Sequence, residues 1–328
     1  MVLLLFGAGL ALLALGGEAV IRGGVALKRT LGIAPVIVGL FAISIGTASP
    51  TLAIAATAAH ANLPDIAIGT VIGATLINLL LILGLCALIQ PMPSAPKVVL
   101  RDGGAILAAG AALAALAWYG EIGRREGVLL LGAFAIYAVI VVVSDWRRSI
   151  EHSVACAEAE NRASREEPSI FGSLFVLFVG AICLLVGAHF IVGSTLSLAA
   201  HWHLQPATVA MTAVAFGAAL PVFAITAIAA LRGYTHIAIG HLITASVFNV
   251  FGALGIAALV HPITISHTSF APADTFAVLG AAVLLLPLLS MNWRLSRANG
   301  VLLMLAYIGY LGFTAWRLGL IPHVAGII

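Results

Sequence analysis

The chain has 328 residues, of which 62% are hydrophobic and 8% are charged, and its mean hydropathy is +1.17. A soluble domain cannot hide this much apolar surface from water, so the sequence predicts an integral membrane protein with the lipid bilayer as its solvent. The formal charge of +3 comes from scattered side chains and predicts no nucleic-acid partner. The cysteines (Cys86, Cys156 and Cys183) have neither disulfide nor metal-site spacing, and the sequence indicates no cofactor.

Ten apolar stretches of membrane-spanning length follow one another along the chain. They are 2–26, 33–59, 64–90, 98–118, 126–144, 171–200, 205–231, 234–260, 273–290 and 299–318. The first stretch has no positively charged leader segment and no small-residue cleavage site, so we interpret it as a span and not as a signal peptide. The predicted organisation is a five-span repeat at 1–144, a cytoplasmic loop at 145–170 and a second five-span repeat at 171–328.

Lysine and arginine are distributed unequally between the two predicted sides of the membrane. With the N-terminus outside, twelve of the 15 basic residues lie at inner ends or loops, and three lie outside, namely Arg124, Arg125 and Arg317. Positive residues favour the cytoplasmic side. The sequence therefore predicts that both termini are outside, and the expected location is a bacterial inner (plasma) membrane.

The two halves of the chain contain an internal repeat. GTASPTLAIAATAA (46–59) aligns with GAALPVFAITAIAA (217–230) at a shift of 171 positions, and the alignment continues without a gap. The shift pairs Gly46 with Gly217, Pro50 with Pro221, and Asn78 with Asn249. Because each half has an odd number of spans, the copies would cross the membrane in opposite directions, as in secondary transporters. The predicted fold is an all-α polytopic membrane protein with ten helices in two inverted five-helix repeats.

The two prolines of the repeat predict a central binding site. Pro50 and Pro221 lack an amide donor, so we expect each to interrupt its helix near the middle of the membrane. Interrupted helices are tolerated where they face protein or a hydrated cavity, and transporters use them to hold substrates. The alternative is that each proline only kinks a packed helix.

Two longer stretches resemble a known family. VGLFAISIGTASPTLAIAATAAHANLPDIAIGTVIGATLINLLLILGL resembles the first alpha repeat of the calcium/cation antiporter superfamily, which includes the sodium/calcium exchangers, and FGAALPVFAITAIAALRGYTHIAIGHLITASVFNVFGALGI resembles the second. The resemblance implies an exchanger with alternating access around spans 2, 3, 7 and 8. It also implies a cation-binding glutamate after each repeat proline, where this chain has Thr51 and Val222. The amide ligands of the family are retained as Asn78 and Asn249.

The predicted site is neutral, because no acidic residue is expected at the crossing of these spans. Calcium sites depend on carboxylate charge, so the sequence argues against efficient calcium exchange. Hydroxyl and amide groups would suit a weakly held monovalent cation, an uncharged polar solute or an anion. The candidate substrate-binding residues are Thr47, Ser49, Thr51, Thr70, Thr75, Asn78, His241, Ser246 and Asn249, with Asn78 and Asn249 as the metal ligands if a cation binds.

Two ionisable residues within the spans, His241 and Glu18, have two interpretations each. His241 either carries a proton-dependent charge or packs as a neutral hydrogen-bonded side chain. Glu18, whose repeat counterpart is His189, either has a role in transport or forms an ion pair with Arg22 four residues later.

The predicted function is a secondary active transporter of a small ion or polar solute, similar to cation exchangers. The alternatives are a carrier of a neutral or anionic solute on the same fold, and a transport-inactive membrane sensor or assembly protein. An enzyme is not expected, because no acid–base pair or activated nucleophile is predicted at membrane depth.

Overall fold

The computed structural model describes residues 2–30, 36–94, 96–161, 170–231, 235–265 and 272–317. Helices dominate this part of the chain. They are α1 (Val2–Thr30), α2 (Val36–His60), α3 (Pro64–Ile89), α4 (Pro96–Tyr119), α5 (Arg124–Asn161), α6 (Ile170–His201), α7 (Pro206–Leu231), α8 (235–260), α9 (Pro272–Ser290) and α10 (Arg297–Arg317). The strands are β1 (Met92–Pro93), β2 (Glu121–Ile122), β3 (Ile263–Thr264) and β4 (Arg294–Leu295), with a 3₁₀ turn at Met291–Trp293 before β4.

Eight helices in the described residues are long and apolar enough to cross a membrane. The apolar part of α9, Asp274–Ser290, is shorter, and α2 is not among the eight. The prediction of a polytopic helical membrane protein is therefore confirmed, and the count of ten spans stays a prediction.

Two small strand pairs mark opposite ends of the helical bundle. β1 pairs with β4 and β2 pairs with β3, both antiparallel. Helix α4 leads from β1 to β2, and its 24 residues extend about 36 Å at 1.5 Å per residue. The two strand pairs therefore lie about one membrane thickness apart.

The core of the bundle is formed by α3 and α8, which are mostly buried, and by the second half of α2. Helices α1, α5, α6 and α10 instead expose large apolar side chains, such as Leu4, Phe171 and Ile308. In water these side chains would be unfavourable, but in a bilayer they are the surface that faces lipid.

Each half of the chain contributes a glycine to two close helix crossings, and the two crossings correspond to each other. A methyl group on Gly84 of α3 would lie 2.9 Å from the carbonyl oxygen of Gly300 of α10. A methyl group on Gly127 of α5 would lie 2.9 Å from the carbonyl oxygen of Gly255 of α8. Small residues are what allow membrane helices to approach this closely. Helix α3 thus packs on α10 in the way that α8 packs on α5.

Helix α5 extends into the segment that is predicted to be a cytoplasmic loop, 145–170. Helix α5 continues to Asn161, well beyond the predicted end of its span at residue 144. The first part of the predicted loop is therefore helical, while residues 162–169 lie outside the described residues.

Candidate functional site

The candidate site lies where α2, α3, α7 and α8 pack together. Each of the nine predicted substrate-binding residues is buried, and the most exposed of them, Ser49, has only 6% of its surface accessible. Burial of this many polar groups at the centre of an apolar bundle is costly unless each finds a partner. Their hydrogen bonds therefore indicate what the site can hold.

His241 is clamped between two hydroxyl groups of α2. Ser44 Oγ lies 2.9 Å from Nδ1, and Thr47 Oγ1 lies 3.4 Å from Nε2. The Thr47 hydroxyl also donates to the carbonyl oxygen of Ser44 at 3.1 Å. The clamp joins α2 directly to α8 through both nitrogens of one imidazole ring. Thr47 and His241 were predicted from the sequence, but Ser44, which lies one turn before Thr47 on the same helix face, was not.

Three other site hydroxyls donate their protons to their own helices. Thr70, Thr75 and Ser246 each donate at 2.8 Å to the carbonyl oxygen four residues earlier. A hydroxyl has one proton to donate and two lone pairs that accept. Once the proton is used in this way, the oxygen can only accept further hydrogen bonds or coordinate a cation.

Neither repeat proline interrupts its helix, so that prediction is wrong. Pro50 lies inside α2 and Pro221 inside α7. In α2 the reason is local: Pro50 cannot donate to the carbonyl oxygen of Gly46, and the Ser49 hydroxyl donates to that oxygen instead, at 2.6 Å. The Ser49 hydroxyl therefore replaces the hydrogen bond that Pro50 cannot donate, and its proton is not available to a substrate.

The local irregularities are π turns instead of breaks. They lie at Ile77–Ile82 in α3, Ala210–Val214 in α7 and Phe248–Ala253 in α8. Asn78 and Asn249 are each the second residue of a π turn. Single π turns inside α-helices occur frequently at functional sites, because they redirect side chains.

The amide oxygens of Asn78 and Asn249 have no hydrogen-bond partner among the described residues. Both residues are 1% exposed. Buried polar atoms are almost always satisfied in folded proteins, so an unpartnered oxygen requires a reason. Two of them at repeat-related positions mark a place where a ligand would be the missing partner.

The two positions after the prolines are buried and uncharged. Thr51 and Val222 each have 2% of their surface exposed. The buried carboxylates of the described residues, Asp102 and Asp274, are instead paired with Arg101 and Arg317. From the sequence no acidic residue was expected at the crossing of the central spans, and neither aspartate was identified as buried.

The remaining ionisable candidates do not join the site. Glu18 forms the predicted ion pair with Arg22, at 2.7 Å, and both side chains are exposed. Within the described ranges, no group of three or more histidine, cysteine, aspartate or glutamate side chains is arranged to hold a metal ion.

The histidine clamp makes a testable prediction about stability. Ser44→Ala should leave the Nδ1 atom of buried His241 without its partner, at a cost of about 1–3 kcal/mol. Thermal unfolding of the purified protein in detergent measures this as a lower midpoint. Ser246→Ala is the matched control, because its buried hydroxyl donates only within α8, to a carbonyl oxygen that the helix backbone already satisfies. Its loss should lower the midpoint less, and an equal decrease would contradict the clamp.

An acceptor-rich polar site, buried at the centre of a bundle of membrane-length helices, defines a membrane transporter for small ions or polar solutes. The family comparison agrees: residues 1–143 and 172–316 match the family described as "Sodium/calcium exchanger protein". The chain belongs to this sodium/calcium exchanger family. It is therefore a transmembrane antiporter of the sodium/calcium exchanger type and not an enzyme.

Individual relatives extend over almost the whole chain. The inner membrane protein YrbG of Escherichia coli (strain K12) is 30% identical and covers 94% of this chain and 95% of its own length. The sodium/calcium exchanger MaX1 of Methanosarcina acetivorans is 25% identical and covers 92% and 95%. The structure of the sodium-calcium exchanger NCX_Mj soaked with Na⁺ and Sr²⁺ superposes with a TM-score of 0.65 at 26% identity, covering 95% of this chain and 99% of that one.

Proposed function

We propose that this antiporter binds a monovalent cation through neutral oxygens at the central site, and that it does not exchange calcium. The observation that carries the proposal is the pair of unpartnered amide oxygens of Asn78 and Asn249. Leaving a buried acceptor unsatisfied costs about 1–3 kcal/mol. A bound cation would remove this cost at both residues, so the site favours a cation as its occupant.

The hydroxyl groups favour a cation over an anion. An anion requires hydrogen-bond donors, and the protons of Thr70, Thr75 and Ser246 already bond to backbone carbonyl oxygens. What these side chains still offer is lone pairs.

The charge of the site favours a monovalent cation over calcium. Calcium takes six to eight oxygen ligands and depends on carboxylate charge for its affinity. Thr51 and Val222 supply no charge where the family resemblance implies glutamate, and the buried carboxylates of Asp102 and Asp274 are paired with arginine. Removing water from a divalent ion would therefore be poorly compensated. A monovalent ion loses less hydration energy in the same surroundings.

The arrangement of the two halves supports alternating access between two inverted five-helix repeats. Asn78 and Asn249 occupy equivalent positions in equivalent π turns. The Gly84–Gly300 and Gly127–Gly255 crossings relate the halves in the same way. A site between two such repeats can be exposed first to one side and then to the other. With the distribution of basic residues, we extend the proposal to both termini outside and to a bacterial inner membrane.

Ion flux into liposomes containing the purified protein tests this proposal. We expect exchange of radiolabelled sodium and no sodium-driven uptake of radiolabelled calcium. Asn78→Ala and Asn249→Ala should each reduce sodium exchange about tenfold or more, since each removes a ligand oxygen. Asn299→Ala is the matched control, because Asn299 lies on α10 and its amide donates to the Leu288 carbonyl oxygen, away from the site.

The outcomes of the flux measurement separate the candidate functions. Strong calcium uptake would overturn the neutral-site argument. Absence of sodium exchange, with transport of an anion or a neutral solute, would favour the alternative carrier. Absence of all transport would favour the sensor or assembly role.

A further inference from the structure

Two buried carboxylates lie outside the candidate site, and each is held by an arginine and a tyrosine. Asp102 pairs with Arg101 at 2.6 Å and accepts a hydrogen bond from the Tyr137 hydroxyl at 3.3 Å. Asp274 pairs with Arg317 and accepts from the Tyr310 hydroxyl at 3.4 Å. Asp102 lies near the start of α4, beyond β1, and Asp274 lies near the start of α9, beyond β3. The two clusters therefore lie at opposite ends of the bundle.

The two tyrosines occupy related places in the two halves. The segment GVLL occurs at 127–130 in α5 and at 300–303 in α10. In each helix the tyrosine, Tyr137 or Tyr310, lies ten positions after the glycine that begins this segment. The arginine, however, comes from a different helix in each cluster. Arg101 is on α4 beside Asp102, whereas Arg317 is on α10, in the register position that Ser144 has on α5. In the first half Ser144 accepts a hydrogen bond from Arg101 at 2.7 Å.

The second contact of each tyrosine distinguishes the clusters. The Tyr137 hydroxyl lies 3.1 Å from Thr244 Oγ1 on α8. The Tyr310 hydroxyl instead lies 3.5 Å from the sulfur of Met211 on α7, and a thioether is a weak acceptor. Thr244 is three residues after His241, so both lie on one face of α8, about one turn apart. Only the first cluster forms a hydroxyl–hydroxyl bond to the turn of α8 that carries His241.

The sequence explains why the second half has no equivalent bond. At the repeat shift of 171, the counterpart of Thr244 is Gly73, which has no side chain. Any side chain there would overlap the carbonyl oxygen of Met211, and a methyl group would lie 2.6 Å from the Cβ atom of Ala215. Helix α7 therefore occupies the space in which a second hydroxyl would lie.

We infer that Tyr137 is a positioning residue for the transport site. The buried Asp102–Arg101 pair holds the Tyr137 hydroxyl on one side. On its other side, this hydroxyl fixes the position of Thr244. It thereby also fixes the turn of α8 that places His241 between the two hydroxyl groups of α2. Tyr310 performs no such role for the site, because its partner is a methionine sulfur on α7. The inference rests on the proposed function in one respect, namely that the site includes this turn of α8.

A double-mutant cycle tests the inference. Tyr137→Phe and Thr244→Val are made singly and together, and the concentration of sodium that gives half-maximal exchange is measured in liposomes. Loss of one hydrogen bond of this kind should raise that concentration about threefold to tenfold, with a smaller effect on the maximal rate. If the two side chains act through their mutual bond, the double variant should be no weaker than either single variant. Additive effects, or an unchanged half-saturating concentration, would overturn the inference.

The second cluster supplies the matched control. Tyr310→Phe and Met211→Leu, singly and together, remove the corresponding contact without touching α8. Their half-saturating sodium concentration should equal that of the unaltered protein. If Tyr310→Phe raised the half-saturating sodium concentration as much as Tyr137→Phe does, both tyrosines would act only through the general stability of the protein.

A second measurement keeps this inference separate from the proposed function. Hydrogen–deuterium exchange of peptides that cover 238–250, in lipid nanodiscs without added substrate, reports the order of the His241 turn itself. Tyr137→Phe should accelerate exchange there, and Tyr310→Phe should not. If the unaltered protein exchanges no sodium, the proposed function fails, and the deuterium result still decides whether Tyr137 positions the turn.

Discussion

Substituting glutamate at both positions after the repeat prolines, Thr51→Glu with Val222→Glu, should give the protein a calcium site. The amide oxygens of Asn78 and Asn249 and the hydroxyl lone pairs around them already supply neutral ligands. What they lack is the negative charge on which calcium affinity depends. In the double variant we expect calcium to stabilise the protein against thermal unfolding, because it binds only the folded state. At about 100 times its dissociation constant, calcium should contribute roughly 2.7 kcal/mol.

The same variant should be unstable without calcium. Thr51 and Val222 are each 2% exposed, and two carboxylates buried at such positions are costly without a counter-ion. The isosteric control is Thr51→Gln with Val222→Gln, which adds the same volume without charge. It should show no stabilisation by calcium. Equal calcium responses in the two variants, or none in the glutamate variant, would contradict the view that charge alone is missing.

Hydropathy was enough to predict the helical membrane fold, and the repeat related the residues of the candidate site to one another. Apolar stretches of about 20 residues have few alternatives to membrane helices, because lipid cannot satisfy free backbone groups. The gapless shift of 171 positions related Asn78 to Asn249. The structure then places both at the same point of a π turn, with unpartnered oxygens. The pairing of the two asparagines could be predicted because it depends only on their spacing along the chain, which can be read from the sequence.

The use of each polar group could not be predicted in this way. Ser49 has the same side chain as Ser44, but it bonds to a carbonyl oxygen freed by Pro50, whereas Ser44 bonds to His241 across the helix interface. The choice depends on side-chain rotamers and on the neighbouring helix, which spacing does not contain. For the same reason Pro50 did not break α2. A proline removes one backbone bond, and a nearby hydroxyl can replace it.

The buried aspartates show a second limit of sequence reasoning. Asp102 and Asp274 lie near helix starts, where a carboxylate is ordinarily in contact with water or headgroups. Their burial depends on Tyr137 and Tyr310, which are 35 and 36 residues further along the chain. Contacts at that distance follow from the packing of α5 and α10 and not from a local pattern.

Gly73 should be the least replaceable of the glycines near the site. A methyl group at this position would overlap the carbonyl oxygen of Met211 and lie 2.6 Å from the Cβ atom of Ala215. Neither is the end of a flexible side chain, so α3 and α7 would have to separate at the level of the site. Overpacking of this kind costs about 1–3 kcal/mol or more. Gly73→Ala should therefore lower the thermal midpoint strongly and reduce the yield of folded protein from membranes.

Gly240→Ala is the matched control for this prediction. Gly240 lies on α8, and a methyl group there would meet no atom of the described residues within 4 Å. Alanine at an open helix position is favoured over glycine by about 0.5–1 kcal/mol. The control variant should therefore be as stable as the unaltered protein or slightly more stable. Equal midpoints for Gly73→Ala and Gly240→Ala would mean that α3 and α7 do not approach as closely as the structure places them. A strong decrease confined to Gly73→Ala would identify the α3–α7 crossing as a rigid contact in the core of the bundle.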